Sequence, residues 1–262
     1  MAGLLEVKGL TKRFGGLVAV DTLTFDVNPG QIFSIIGPNG AGKTTVFNLI
    51  TGVYEIDDGD LVFDGKSING LKPNHIAKVG IARTFQAVRL FPAMTVIENV
   101  MVGQHVRSKA GLFGAVIRPP WTRQEEERIV KRSREILDFF GERLTPVRDS
   151  LASDLSYADR RRLEIARAMA TEPKLLLLDE PTAGMNPVEK VGLVTLIGRL
   201  RDELGFTIIL IEHDMPVVKG VSDHVVALDY GKVIAEGTYD EVASNERVIE
   251  AYLGKQKSGG AG

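Results

Sequence analysis

The 262-residue chain is 44% hydrophobic, enough to bury one large core or a core with a smaller subdomain leaning on it. Its 32 Lys and Arg stand against 34 Asp and Glu, so a net charge of −2 gives no global field to draw nucleic acid. The absence of cysteine excludes disulfides, thiol catalysis and thiolate zinc sites, and suits a reducing compartment such as the cytoplasm.

Met1 to Leu10 alternates apolar and charged residues and does not read as a signal peptide. Segments around Leu5 to Val7, Leu23 to Val27 and Leu61 to Phe63 alternate in the same way and predict an antiparallel portion near the N-terminus. Gln31 to Ile36, Leu175 to Leu178, Thr207 to Ile211 and His224 to Leu228 read as further strands, the middle two apolar enough to be buried on both faces. Separated by helical patterns, they predict a largely parallel sheet wrapped by helices, an α/β fold.

Between Met94 and Thr171 no strong strand signal is present. Arg123 to Phe140 puts Ile129, Ile136, Leu137 and Phe140 on one helical face, so this stretch predicts a helical subdomain inserted into the core. Gly111, Gly114, Pro119 and Pro120 interrupt it between Arg107 and Trp121. That interruption carries Arg107, Lys109 and Arg118 beside Leu112, Phe113, Val116 and Trp121. It reads as a surface for membrane subunits or an anionic leaflet, or equally as a solvated loop with its aromatics folded inward. The predicted division is an α/β core over about 1–93 and 172–237, a helical part over about 94–171, and a C-terminal helical extension and tail over about 238–262. The end, Lys255 to Gly262, is polar and glycine-rich and reads as disordered. No run of about 18 apolar residues offers a membrane span, so action at a membrane would need other, spanning subunits.

Gly37, Pro38, Asn39, Gly40, Ala41, Gly42, Lys43 and Thr44 match G-x-x-x-x-G-K-[ST], between a predicted buried strand and a helix beginning near Lys43. Glycines let successive N–H groups face phosphate oxygens and the helix N-terminus adds partial positive charge. Lys43 would neutralise the β- and γ-phosphates and Thr44 would offer a hydroxyl to Mg²⁺, with Thr45 following in the same turn. Leu175 to Leu178 ends in Asp179 and Glu180, at the strand end where parallel sheets carry function. Asp179 is placed to hold Mg²⁺ and Glu180 to polarise an attacking water; a turn entering solvent is the plainer reading of such a pair taken alone.

Leu155-Ser156-Tyr157-Ala158-Asp159, continuing through Arg160 to Ala168, resembles the signature of ATP-binding-cassette (ABC) proteins, although a capping serine on an amphipathic helix would look alike. Phosphate loop, Gln86, signature, acidic pair and His213 follow one another in the order of that family. Lys12 to Gly16, Arg83 to Phe91, Met94 to Asn99, Gly111 to Gly114 and Ile211 to Met215 are similar to ATP-binding subunits of branched-chain amino acid importers, the LivG-like group. The resemblance implies a P-loop NTPase core, ATP and Mg²⁺ as ligands, and ATP hydrolysis coupled to transport. Phe14 takes the place of the aromatic that stacks on adenine, or is a core residue. Gln86 takes that of the glutamine touching Mg²⁺ or the lytic water, or is a surface residue. His213 takes that of the histidine at the γ-phosphate, or caps a turn. Ser156, with the N–H of Ala158, would reach the γ-phosphate of an opposing cassette.

Tyr157, Ala158 and Asp159 stand where the family has Gly-Gly-Gln, which implies a methyl group added to the phosphate approach and slower or altered dimer closure. Asn186 stands where many cassettes carry Asp, keeping a hydrogen-bonding side chain without its charge. Implied partners are transmembrane permease subunits and a second cassette, a heterodimer expected and a homodimer possible. A solute-binding protein would be met only indirectly, and nucleic acid not at all. The implied location is the cytoplasmic face of the membrane, peripheral through the permease. Cassettes of other systems, such as lipopolysaccharide export, share much of the pattern; soluble cassettes of translation or DNA repair are usually fused in tandem or carry nucleic-acid domains.

Overall fold

A computed structural model describes residues 3–104 and 120–253, with the side chains of residues 120–123 excepted. Residues 107–119 of the expected interruption, and the tail from Lys255, lie outside the described residues. So do the side chains of Pro120 and Trp121.

The strands β1 (Leu5–Phe14), β2 (Leu17–Val27), β4 (Asp58–Phe63) and β5 (Lys66–Ser67) form an antiparallel sheet of order β2-β1-β4-β5. A second sheet has the order β10-β9-β3-β8-β7-β6. It comprises β3 (Ile32–Ile36), β6 (Ile81–Arg83), β7 (Leu175–Asp179), β8 (Thr207–Ile211), β9 (His224–Asp229) and β10 (Lys232–Gly237). All of its pairings are parallel except β10 against β9. Every residue of β3, β7 and β8 is buried, which is why those segments are apolar apart from Ser34, Asp179 and Thr207 rather than alternating.

Alternation along β7 assigns its leucines to two cores. Leu175 and Leu177 join the antiparallel sheet and the helix α1 (Lys43–Ile50) on one face. Leu176 and Leu178 face a helical layer on the other. That layer contains α3 (Val96–Gln104), α4 (Pro120–Phe139), α5 (Tyr157–Met169) and α6 (Pro187–Asp202), and α2 (Pro73–Val79) precedes β6. In the helical layer Ile129, Ile136, Leu137 and Phe140 are buried, as the periodicity predicts. α4 starts at Pro120, whose missing N–H has no intrahelical partner to lose in a first turn. A third cluster joins Ile36 at the end of β3 to α7 (Met215–Val221), α8 (Tyr239–Ala243) and α9 (Glu246–Leu253), through Val218, Val242 and Val248.

Cα register aligns Ile35 and Asp179 with Ile211. The segments after β3, β7 and β8 therefore leave the sheet at one edge, where the candidate residues gather.

Candidate active site

The phosphate loop runs from the end of β3 into α1, and two glycines fix its path. Gly37 has φ +149°, and a Cβ there would lie 2.2 Å from the carbonyl oxygen of Leu228 on β9. Gly42, the residue before α1, has φ +102°, and a Cβ would lie 2.4 Å from the carbonyl oxygen of Ala19. The loop is thus wedged between the two sheets, and larger residues would push it away from both. Ala41 N–H donates to the Pro38 carbonyl at 3.2 Å, closing the turn through Asn39 and Gly40.

Lys43 is buried, and its Nζ donates to the carbonyls of Gly37 at 2.6 Å and Pro38 at 3.0 Å. Burial pushes its ammonium below the ordinary lysine value, while the carboxylates of Glu180 and Asp179 act in the opposite direction. Thr44 is exposed and Thr45 half-buried on the first turn of α1.

Asp179 is the last residue of β7. Its Oδ2 accepts from Arg83 Nη2 at 2.8 Å in an ion pair with both side chains buried, and its N–H donates to Thr84 Oγ1 at 3.3 Å. Glu180 follows at φ +45°, a left-handed conformation uncommon for a non-glycine residue, fixed by its N–H donating to the Ile211 carbonyl at 2.9 Å. Gln86 Nε2 donates to Glu180 Oε2 at 3.0 Å, and His213 Nδ1 lies 3.9 Å from that same oxygen. Glutamine, glutamate and histidine, brought from three loops, converge on one point.

Phe14 is 42% exposed, which sets aside the core reading. Its ring meets Tyr54 edge-on at 5.2 Å, at the end of β1, and β2 of the same hairpin carries Ala19 against Gly42. An exposed aromatic pair on the hairpin that borders the phosphate loop suits a base-stacking platform.

The structure does not bring the signature to the phosphate loop. Ser156 caps α5, its Oγ accepting from Asp159 N–H at 3.1 Å and donating to Asp159 Oδ2 at 2.8 Å. Among the described residues no hydrogen bond joins Ser156 to residues 37–45. Ala158 is buried in the helical layer's core, so its side chain packs inward instead of adding bulk to a phosphate approach. Tyr157 is half-exposed and its hydroxyl accepts from Arg161 at 3.0 Å. Asn186 caps α6 in a reciprocal pair with Glu189, a role that needs its amide oxygen and no charge.

Three further features involve residues of the family-like stretches that carried no assigned role. Arg83 holds Asp179. Glu212, fully buried, accepts from Thr182 N–H at 3.0 Å and its hydroxyl at 2.5 Å, and from His213 N–H at 3.1 Å and Asp214 N–H at 3.4 Å. It ties the loop after the acidic pair to the loop bearing His213. Arg161 and Glu164 form a buried ion pair on α5 that binds the backbone around Gln86: Arg161 donates to the carbonyls of Phe85 and Gln86, and Glu164 accepts from Phe85 N–H.

Residues 20–183 match the family model described as ABC transporter, more than half of the chain. The chain belongs to the ABC transporter family. Residues 232–257 of this cassette also match a model described as Branched-chain amino acid ATP-binding cassette transporter. The cassette is 46% identical over 252 residues to the high-affinity branched-chain amino acid transport ATP-binding protein LivG of Escherichia coli strain K12, covering 96% of this chain and 98% of that one. A crystal structure of the ADP conformation of an ATP-binding cassette of an ABC transporter superposes with TM-score 0.84 at 33% identity, covering 97% and 100% of the two chains. A dimeric structure of a post-hydrolysis cassette bound to ADP and Pi gives TM-score 0.73 at 26% identity, covering 90% and 98%. The chain is accordingly an ATPase cassette of a membrane transporter on a P-loop NTPase fold, and cassettes of its family bind ATP or ADP and work with membrane permeases. Among the described residues no helix is long and apolar enough to cross a membrane.

Proposed function

We propose that this cassette powers import of branched-chain amino acids. The carrying observation is the 46% identity over 96% of the chain to a cassette named for that transport. In this reading the chain lies on the cytoplasmic face, docked to permease subunits through the surface that follows Gln86, and paired with a second cassette that is expected to be a different chain.

ATP binding asks Lys43 Nζ to exchange the Gly37 and Pro38 carbonyls for phosphate oxygens, while the N–H groups from Gly40 to Thr45 face the phosphates. Phe14 stacks on the base. The hydroxyl, carboxylate and amide oxygens available at the site suit Mg²⁺, a hard cation held by protein oxygens beside nucleotide phosphates. The Thr44 hydroxyl, one Asp179 oxygen and Gln86 would hold it, and when bound it neutralises phosphate charge. The Glu180 carboxylate orients and polarises the attacking water, with Gln86 and His213 setting its position; positioning of this kind supplies most of the rate in phosphoryl transfer. Ser156 and the N-terminus of α5 complete the site of the opposing cassette.

The test is to co-express the chain with the membrane proteins encoded beside it, reconstitute what co-purifies, and measure leucine uptake. Uptake should follow ATP hydrolysis and be lost in Glu180→Gln. A reconstituted complex that hydrolyses ATP with no response to branched-chain amino acids in uptake or in rate would remove the substrate assignment.

A further inference from the structure

The C-terminal helix α9 lies beside the phosphate loop and reaches its root. Val248 packs in the cluster that contains Ile36, the last residue of β3. One residue further along the loop, Gly37 N–H donates to the Tyr252 hydroxyl at 2.8 Å, across 215 positions of sequence. Gly37 is therefore held on both sides, the Ile36–Gly37 peptide through its N–H by Tyr252 and the Gly37–Pro38 peptide through its carbonyl by Lys43 Nζ. A crevice of about 720 Å³ separates the outer side of the loop from the same helix, with Asn39 and Gly40 on one wall and Arg247 and Glu250 on the other.

We propose that Tyr252 is a positioning residue for nucleotide binding, its hydroxyl holding the first peptide of the phosphate loop from a helix far away in sequence. The proposal rests on the reading of Gly37 to Thr44 as the phosphate site. When Lys43 turns to the triphosphate it releases the carbonyl of the next peptide, Gly37–Pro38, while the bond to Tyr252 still holds the Gly37 N–H. The alternative partner for the Gly37 N–H is water, which would leave the turn at Gly37 free to shift. Burial pushes the Tyr252 hydroxyl pKa up, so it remains a neutral phenol that accepts from the amide throughout the working range. A preorganised loop binds more tightly because less ordering is left for the ligand to impose. The C-terminal extension thus contributes to the nucleotide site.

The test compares Tyr252→Phe, which keeps the ring and loses the hydroxyl, with Tyr252→Ala and Lys43→Ala in the full chain. Loss of one neutral hydrogen bond should raise the ATP and ADP Kd, and the ATP KM, by roughly threefold to tenfold in Tyr252→Phe. kcat should fall less than KM rises, and the unfolding temperature without nucleotide should stay near that of wild type. Tyr252→Phe with wild-type affinity, whether or not Tyr252→Ala is impaired, would reduce the residue to ring packing and overturn the proposal. So would a lower unfolding temperature with no change in Kd. If Lys43→Ala bound ATP like wild type, the phosphate-site reading would fail first, and the role of Tyr252 with it.

Discussion

Arg83 and Asp179 form a buried ion pair at the ends of β6 and β7, with Arg83 Nη1 also donating to Asn48 on α1 at 2.6 Å. The guanidinium lies against the rings of Phe47 and Phe85, 5.3 Å from each centroid. One side chain thereby fixes the proposed metal carboxylate against the helix that the phosphate loop opens. Removing one partner of a buried pair leaves an uncompensated charge, which typically costs about 3–5 kcal/mol. Arg83→Met should lose stability of that order in denaturant unfolding and should weaken Mg²⁺-dependent ATP binding more than metal-free binding. In the double variant with Asp179→Asn part of the stability should return, because no carboxylate is left unpaired. A single variant as stable as wild type would show that the pair holds nothing.

Burial of the Lys43 charge costs the nucleotide-free fold stability. Its folded pKa lies below the ordinary lysine value of 10.5, so the unfolded chain holds this proton more tightly than the folded one. Below the folded pKa the charge opposes folding in full. The penalty fades as pH rises through that value towards 10.5. Nucleotide-free Lys43→Met should therefore unfold at the wild-type temperature or above it near neutral pH, with the difference narrowing towards alkaline pH. ATP should raise the unfolding temperature of wild type and leave the variant unmoved. A variant that melts well below wild type, or that ATP still stabilises, would contradict this account.

Glu212 offers two oxygens to four donors, three of them backbone N–H groups of Thr182, His213 and Asp214. Glu212→Gln replaces one oxygen by an amide donor that faces other donors, so the fold should lose about 2–4 kcal/mol and His213 should lose its fixed position. ATPase activity should fall while the exposed Phe14 platform still binds the base, leaving nucleotide affinity within a fewfold of wild type. Stability and turnover both at wild-type level in Glu212→Gln would show that the carboxylate does not organise these loops.

How far the sequence speaks depends on whether a residue's partners are close in the chain. β7 and β8 are legible because burial on both faces demands a run of apolar residues. β10 is a half-exposed edge with mixed polarity, and β6 is three residues long; neither leaves a pattern strong enough to read. The phosphate loop and the acidic pair announce themselves because their chemistry requires fixed spacing beside a buried strand. Arg83, Glu212 and Tyr252 act through partners 96, 30 and 215 positions away, so each looks in sequence like one more ordinary polar residue. Ser156 is the opposite case. Its local pattern is complete as a helix cap, and the structure of one chain shows that role and, among the described residues, no hydrogen bond to its own phosphate loop.

That separation makes the signature testable as a residue serving a second cassette. One chain carries Lys43→Ala, with a disabled phosphate loop and an intact signature; another carries Ser156→Arg, with the reverse defects. Each alone should be inactive, because every site formed by identical chains contains one damaged half. Mixed, they form one composite site in which the intact loop of the second chain meets the intact signature of the first. ATP-dependent dimerisation followed by light scattering, and hydrolysis followed by phosphate release, should then recover in part. If the natural partner is a different cassette, homodimers form poorly, so the wild-type chain must first be shown to dimerise with ATP, or the natural partner supplied with the complementary defect. With that control in place, no recovery of either signal would mean that Ser156 acts on its own chain or not at all, and its hydroxyl would be left with its two bonds to Asp159.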